Sequence, residues 1–288
     1  MGNAFVDTTS VVALGPGRFS GTIDPAWNLR PLPQGGIVTA IALRAMAVTL
    51  DDPAQRLRTL HTAFVARVAD GPVTIEVDEL RKGRSMSHLR AEVANEGSAR
   101  GHVTTGVFGA TRSGFAFTDL PAPEFVPPPG ECPSFRDPLP EEVEPFEPMP
   151  FWAQLVEGRP ALGHAPWEDY VPDRAERATW YRFDDPPFLD DGTIDPLALV
   201  VLADTMPGAV GEKLGAQERT WFAPSVDLSV HILDECRSPW LLAHNRARYA
   251  GDGYASADMA LWDYGFNGDQ PPRLVAYATQ LFLFSFAP

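Results

Sequence analysis

The sequence predicts an α+β protein made of two tandem repeats, each an antiparallel sheet wrapped around one long apolar helix. Three observations carry that prediction. Residues 33–50 and 195–210 are apolar nearly all round at helical spacing, and such a helix must be enclosed. Each is followed by four runs with strand character. Between the two sets lies a proline-rich joint in which neither a helix nor a central strand survives.

The first helix, "PQGGIVTAIALRAMAVTL", opens on two glycines and places Ile37, Ile41, Ala45 and Val48 on one stripe. The strand runs that follow are "TLHTAFVAR" (59–67), "PVTIEVDEL" (72–80), "SMSHLRAEV" (85–93) and "RGHVTTGVF" (100–108). Val73, Ile75 and Val77 alternate with Thr74, Glu76 and Asp78, so one sheet face is packed and the other wetter. Residues 121–150 hold eleven of the 29 prolines and seven acidic residues against Arg136 alone, which reads as a semi-rigid linker. Phe125, Phe135 and Phe146 are poor choices for a free tether, so the linker is expected to be partly docked; an acidic recruitment segment is the alternative.

The second helix, "DPLALVVLADTMPGAV", has Asp195 as N-cap and Pro196 as first helical residue. Its strand runs are "PSVDLSVHI" (224–232), "WLLAHNRARY" (240–249), "YASADMALWD" (254–263) and "LVAYATQLFLF" (274–284). Setting Gly83 opposite Gly253 and Gly106 opposite Gln280 gives offsets of 170 and 174, an internal duplication with small loop insertions. The domains are then 1–120, the linker 121–150, and 151–288.

A length of 288 residues fits two such domains, and 44% hydrophobic against 21% charged residues excludes wholesale disorder. The net charge of −15 argues against nucleic acid or an anionic membrane as the main partner. An anionic ligand would need a local basic patch. Cys132 and Cys236 lie far apart with no CxxC, which fits a reducing compartment better than a disulfide scaffold or a cysteine zinc site. No basic residue precedes the apolar positions near the N-terminus, and the longest apolar run, 197–203, cannot span a bilayer. The expectation is a cytoplasmic chain with no membrane insertion. GxSxG, GxxxxGK[ST], HExxH and GxGxxG are all missing, and six dispersed histidines offer no metal constellation, so neither metal nor cofactor is expected.

Asp204 stands out on physical grounds. It follows seven apolar residues inside a helix that should be buried, and an ionised carboxylate there is costly unless hydrogen-bonded or given water. The matching stretch of the first repeat, near Ala42 and Leu43, has no acid. The functional reading is a general base that deprotonates water; the other is a cap on a second helical segment broken at Pro207.

The doubled order of elements resembles the double hotdog fold of the acyl-CoA thioesterase II family. "QGGIVTAIAL" (34–43), "LHTAFVARV" (60–68) and "ELRKGRSMSHLRAEV" (79–93) carry the likeness in the first half. "LADTMPGAV" (202–210), "PSVDLSVHI" (224–232) and "YATQLFLF" (277–284) carry it in the second, so it covers nearly everything but the linker. The resemblance implies hydrolysis of acyl-CoA thioesters to free acid and CoA, with no covalent intermediate and no metal. Gln280 falls on the family's glutamine, and Ser225 falls where the family usually has threonine. The resemblance thus implies a trio in which Ser225 and Gln280 hold a water for Asp204, with looser positioning for want of the threonine methyl. Asp227, two residues on, should face the same side as Ser225.

Gly35 and Gly36 open the first helix, where unsatisfied N–H groups could receive a thioester oxyanion; the alternative is that they only permit tight packing. Arg81, Lys82 and Arg84 form a cationic cluster for CoA phosphates, or else a solvated hairpin turn around Gly83. His61 and His88 read as structural strand residues. Two other functions remain open: a hotdog enoyl-CoA hydratase or dehydratase, though no histidine accompanies Asp204, and a non-catalytic acyl-CoA-binding protein. Exposed sheet faces point to a homo-oligomer.

Overall fold

The computed structural model describes residues 2–215, 217, 220–265 and 271–286. The first half runs α1 (Ala4–Thr9), β1 (Val12–Gly15), β2 (Arg18–Ile23), α2 (Gly35–Leu50), β3 (Arg56–Phe64), β4 (Gly71–Arg81), β5 (Met86–Asn95) and β6 (His102–Gly109). The second half runs α3 (Pro150–Gln154), β7 (Val156–Leu162), β8 (Glu176–Phe183), α4 (Pro196–Ala203) and α5 (Gly208–Leu214). It continues through β9 (Trp221–Phe222), β10 (Ser225–Ile232), β11 (Leu241–Gly251), β12 (Tyr254–Asp263), β13 (Arg273–Leu283) and β14 (Ser285–Phe286).

Twelve strands form one sheet in the order β1-β2-β4-β5-β6-β3-β10-β13-β12-β11-β8-β7. Counted inward from each edge, both halves follow the same order of equivalent strands. A pseudo-twofold axis therefore passes through the β3–β10 pair. This is the α+β double hotdog, with one amendment. The two repeats do not keep separate sheets, because β3 and β10 pair from Ala63↔Asp227 to Thr59↔His231 and fuse them. Each half also has two more strands on this sheet than the sequence suggested. In β1 every residue is exposed, and β7 contains Gly158 and Pro160, so neither shows an alternating apolar signature. Both are edge strands, where a missing N–H donor is tolerated.

The two apolar helices lie antiparallel in the concavity. The side-chain oxygen of Gln34 accepts from the Ile37 N–H at 2.9 Å and caps α2. Asp195 does the same for α4 by accepting from Leu197 at 3.0 Å. Every residue of α4 except Pro196 is buried, while Val48 of α2 turns out to be exposed, on the side of the helix away from the core. The second helix also stops earlier than its sequence suggests, at Ala203 rather than 210. Pro207 lacks an N–H and its ring would strike the carbonyl four residues back, so the chain turns through 204–207 and restarts as α5.

The proline-rich stretch has one short 3₁₀ turn, Pro129–Glu131, and is held at several points. Arg136 grips Asp184 through two bonds of 2.8 and 3.1 Å, Trp180 Nε1 donates to the Pro127 carbonyl at 2.9 Å, and Cys132 is buried. Of the three phenylalanines only Phe135 packs, edge-on to Trp152. Phe125 is 98% exposed and Phe146 is exposed as well, so the docking attributed to all three rests on one.

What sets the distance between α2 and α4 is Gly36. A methyl group there would lie 2.7 Å from both the Val200 carbonyl oxygen and Val201 Cα. Both are backbone atoms of α4 and cannot rotate aside. Gly36→Ala should therefore separate the helices and destabilise the fold by about 1–3 kcal/mol, read as a lower urea midpoint. Gly114→Ala, where nothing lies within 4 Å, should leave that midpoint unchanged.

Candidate active site

The turn that ends α4 puts Asp204 at its C-cap, 7% exposed, against the N-terminus of α2. Strands β10 and β13 bring two more groups to it. Ser225 Oγ donates to Asp204 Oδ1 at 3.0 Å, Gln280 Nε2 donates to the same oxygen, and Gln280 Nε2 also reaches Ser225 Oγ at 2.9 Å. The Gly36 N–H donates to Oδ2 at 2.9 Å. Gln34 Nε2 bonds the carbonyls of Val201 and Asp204 at 2.7 and 3.1 Å and so fixes the turn itself. Residues 168 positions apart thus meet on one carboxylate.

Register explains the convergence. Gln280 pairs with Leu228 on β10 and Ala257 on β12, and its side chain enters the concave face beneath α4. A β-bulge between Ser225 and Asp227 then reverses the expected alternation. Ser225 points at Asp204, whereas Asp227 accepts from the backbone N–H of Leu281 at 2.8 Å and stays out of the cluster. The expectation that Ser225 and Asp227 share a side fails for that reason.

No cation pairs with Asp204 among the described residues; all its donors are neutral. Burial pushes its pKa up from 3.8 to about 6, while the bonds from Ser225, Gln280 and the Gly36 and Gly35 backbone pull it down. Near neutral pH the group is then mostly ionised and close to its titration point. Gln280 Oε1 is buried with no partner among the described residues, an acceptor pointing at nothing the protein supplies.

The other expected groups fall out differently. The Gly36 N–H, read from sequence as an oxyanion donor, bonds the carboxylate instead. A methyl at Gly35 would sit 2.5 Å from Phe64 and 2.8 Å from Asp204 Oδ2, so both glycines serve close approach. Arg81, Lys82 and Arg84 do not join the cluster. Lys82 donates to the Leu50 carbonyl at 2.7 Å, at the far end of the 16-residue α2. That end is about 21 Å from Gly36 at 1.5 Å per residue. His61 bonds Ser229 on the outer face of the sheet, and His88 lies partly buried in β5.

One neighbour was missed. His102 is buried beside Phe64, with ring centroids 4.7 Å apart, its Nδ1 has no partner among the described residues, and burial lowers its pKa to about 4. Its only sequence signal was a histidine at an inward position of "HVTTGVF". No group of three or more His, Cys, Asp or Glu side chains suited to a metal occurs among the described residues. No helix of the described residues is long and apolar enough to cross a membrane.

The pseudo-twofold supplies an internal control. Gly106 pairs with Leu60 and Leu89 as Gln280 pairs with Leu228 and Ala257, and Leu57 stands opposite Phe108 as Ser225 stands opposite Phe282. A methyl on Gly106 would meet Leu43 at 3.3 Å and Met46 at 2.9 Å. The position equivalent to the cluster is thus filled with hydrocarbon.

Residues 23–109 match the acyl-CoA thioesterase N-terminal domain family, and residues 129–284 match the acyl-CoA thioesterase C-terminal domain family. Among solved structures, a conserved protein of unknown function with a hot dog fold from Alicyclobacillus acidocaldarius is 28% identical, with a TM-score of 0.79 over 100% of both chains. The acyl-CoA thioesterase II TesB2 of Mycobacterium marinum is 20% identical, with a TM-score of 0.73 over 98% of each chain. The tesB protein of Mycobacterium avium subsp. paratuberculosis is 18% identical, with a TM-score of 0.72 over 99% of this chain and 98% of that one. A search of curated proteins finds no match.

Because the Gln280 amide stabilises the ionised carboxylate, Gln280→Leu should raise the Asp204 pKa above about 6. Carboxyl titration followed by difference infrared spectroscopy against Asp204→Asn checks this; an unchanged or lower midpoint would show that the amide does not act on the charge.

Proposed function

The chain belongs to the acyl-CoA thioesterase family and is a thioester hydrolase, and from that premise we propose that Asp204 activates the attacking water directly. The observation that carries this reading is the orphaned Gln280 Oε1 beside a buried, partly basic carboxylate. A water between them can donate one hydrogen to Asp204 and the other to Gln280 Oε1, which leaves a lone pair free for the thioester carbonyl carbon. Ser225 takes a bond from Gln280 and gives one to Asp204, so it holds the amide and the carboxylate in a fixed relation.

The step balances without a covalent intermediate. Water oxygen bonds the carbonyl carbon while its proton passes to Asp204. Collapse of the tetrahedral species breaks the carbon–sulfur bond, the proton moves from Asp204 to the departing sulfur, and free acid and CoA are released with the carboxylate regenerated. Its pKa near 6 suits both transfers at neutral pH. A nucleophilic cysteine fits poorly, since burial pushes the Cys236 thiol up to about 12 and raises that of Cys132 in the proline-rich stretch. A hydratase pairing fits poorly too, because no histidine bonds Asp204 among the described residues and Phe64 packs against both His102 and Gly35.

Asp204→Asn should lower kcat by roughly 10²–10⁴-fold in a thiol-release assay on acyl-CoA, the usual size of a lost general base. Turnover equal to wild type would remove Asp204 from the chemistry. For the wild type, kcat/KM should fall below pH 6 as the carboxylate takes up a proton and level off above it. A flat profile between pH 5 and 7 would contradict that role.

A further inference from the structure

The cavity that stands apart from the Asp204 cluster lies at the open end of the second hotdog. Its volume is about 990 Å³, at the upper end of small-ligand sites. Trp221, Tyr249, Phe284 and Phe286 supply aromatic walls, Trp221 meeting Phe284 edge to face at 5.6 Å. Arg174, Lys213 and Arg248 line it against a single acid, Asp173. In a chain of net charge −15, three cations gathered at one cavity are an exception that favours an anionic ligand. Lys213 donates to the Asp173 backbone carbonyl at 2.6 Å and pairs with no carboxylate among the described residues. Arg174 touches Asp173 only at 3.8 Å, with both side chains mostly exposed; Arg248 is held by Asp258.

Two residues of the cavity wall lie a short way along the chain from Ser225 and Gln280. Trp221 precedes Ser225 by four residues and Phe284 follows Gln280 by four, and β10 and β13 are antiparallel, so both segments lead the same way. Four residues of extended chain cover at most about 13 Å, a separation that an extended pantetheine arm bridges. From α5, Val210 and Leu214 complete the lining. That helix is anchored by Glu212, which accepts from Arg177 at 2.5 Å and meets His164 Nδ1 at 2.7 Å.

We propose that this cavity binds the nucleotide end of CoA, with the adenine against the aromatic wall and the phosphates facing Lys213, Arg174 and Arg248. The assignment relies on the thioester-hydrolase reading for the identity of the ligand. It replaces the Arg81, Lys82 and Arg84 cluster, which lies at the far end of α2 with Lys82 engaged by Leu50. An acyl chain is the poorer occupant, since it offers no anion to Lys213, which pairs with no carboxylate among the described residues.

The test uses adenosine 3′,5′-bisphosphate as probe in calorimetry and two thioesters of one acyl group, the CoA ester and the N-acetylcysteamine ester, which has no nucleotide. The double variant Lys213→Ala, Arg174→Ala should weaken bisphosphate binding and raise the KM for acyl-CoA by roughly tenfold or more, about the loss of one charge-assisted contact. The KM for the N-acetylcysteamine ester should stay at the wild-type value. Lys213→Glu, a single change on an exposed helix end, should act in the same direction if the double variant folds poorly. Unchanged bisphosphate binding in both variants, or an equal rise in KM for both esters, would overturn the assignment. Lost bisphosphate binding in a protein whose wild type hydrolyses neither ester would uphold the cavity and overturn the hydrolysis reading alone.

Discussion

The site depends on one constraint: a carboxylate taken out of water and given only neutral donors. Had an arginine or lysine paired with Asp204, its pKa would fall below the ordinary carboxylate range and it would be a poor base. Had no donor reached it, it would stay protonated at neutral pH. Ser225, Gln280 and the Gly36 backbone offset part of the burial penalty, and the balance comes out at about 6. Against an ordinary 3.8 this difference corresponds to about 3 kcal/mol of disfavoured charge, held in place by the surrounding fold. By linkage, a raised pKa means that this group weakens the folded state as pH rises from about 4 through 6. A carboxyl group that titrates near neutrality thus costs the fold some stability.

That arrangement requires both repeats. The carboxylate and its side-chain partners come from the second half, and the backbone donor comes from the first residues of α2 in the first. At the symmetry-related end of the helix pair, Arg44 of α2 pairs instead with the α4 cap residue Asp195. The duplicated architecture therefore carries one polar cluster and one sealed end. There an ion pair between the helices serves as a structural tie.

Much of this was legible in the sequence, for identifiable reasons. The strands β4, β5, β12 and β13 lie within a residue or two of where alternation places them, because one face of each is packed and the other is wetter. Asp204 was visible as an acid in a hydrocarbon context, and Gln280 through the family resemblance, at a position that the repeat sets opposite Gly106. What was not legible is long-range or local to the backbone. The Gly36 donor could not be placed, since nothing in "QGGIV" tells which group its N–H will meet. The bulge that turns Ser225 inward and Asp227 away has no signature in "PSVDLSV". The cations of 81–84 attracted notice through their adjacency in sequence, whereas Arg174, Lys213 and Arg248 are brought together only by folding.

On the proposed mechanism, water attacks the thioester carbonyl and Asp204 only moves its proton. The most direct measurement is a single turnover, enzyme in excess, in oxygen-18-enriched water, with mass spectrometry of both the released acid and the peptide containing Asp204. Direct attack predicts one heavy oxygen in the acid and none in Asp204. Heavy oxygen in the Asp204 carboxylate would mean that it had been acylated and then hydrolysed, and would contradict the account.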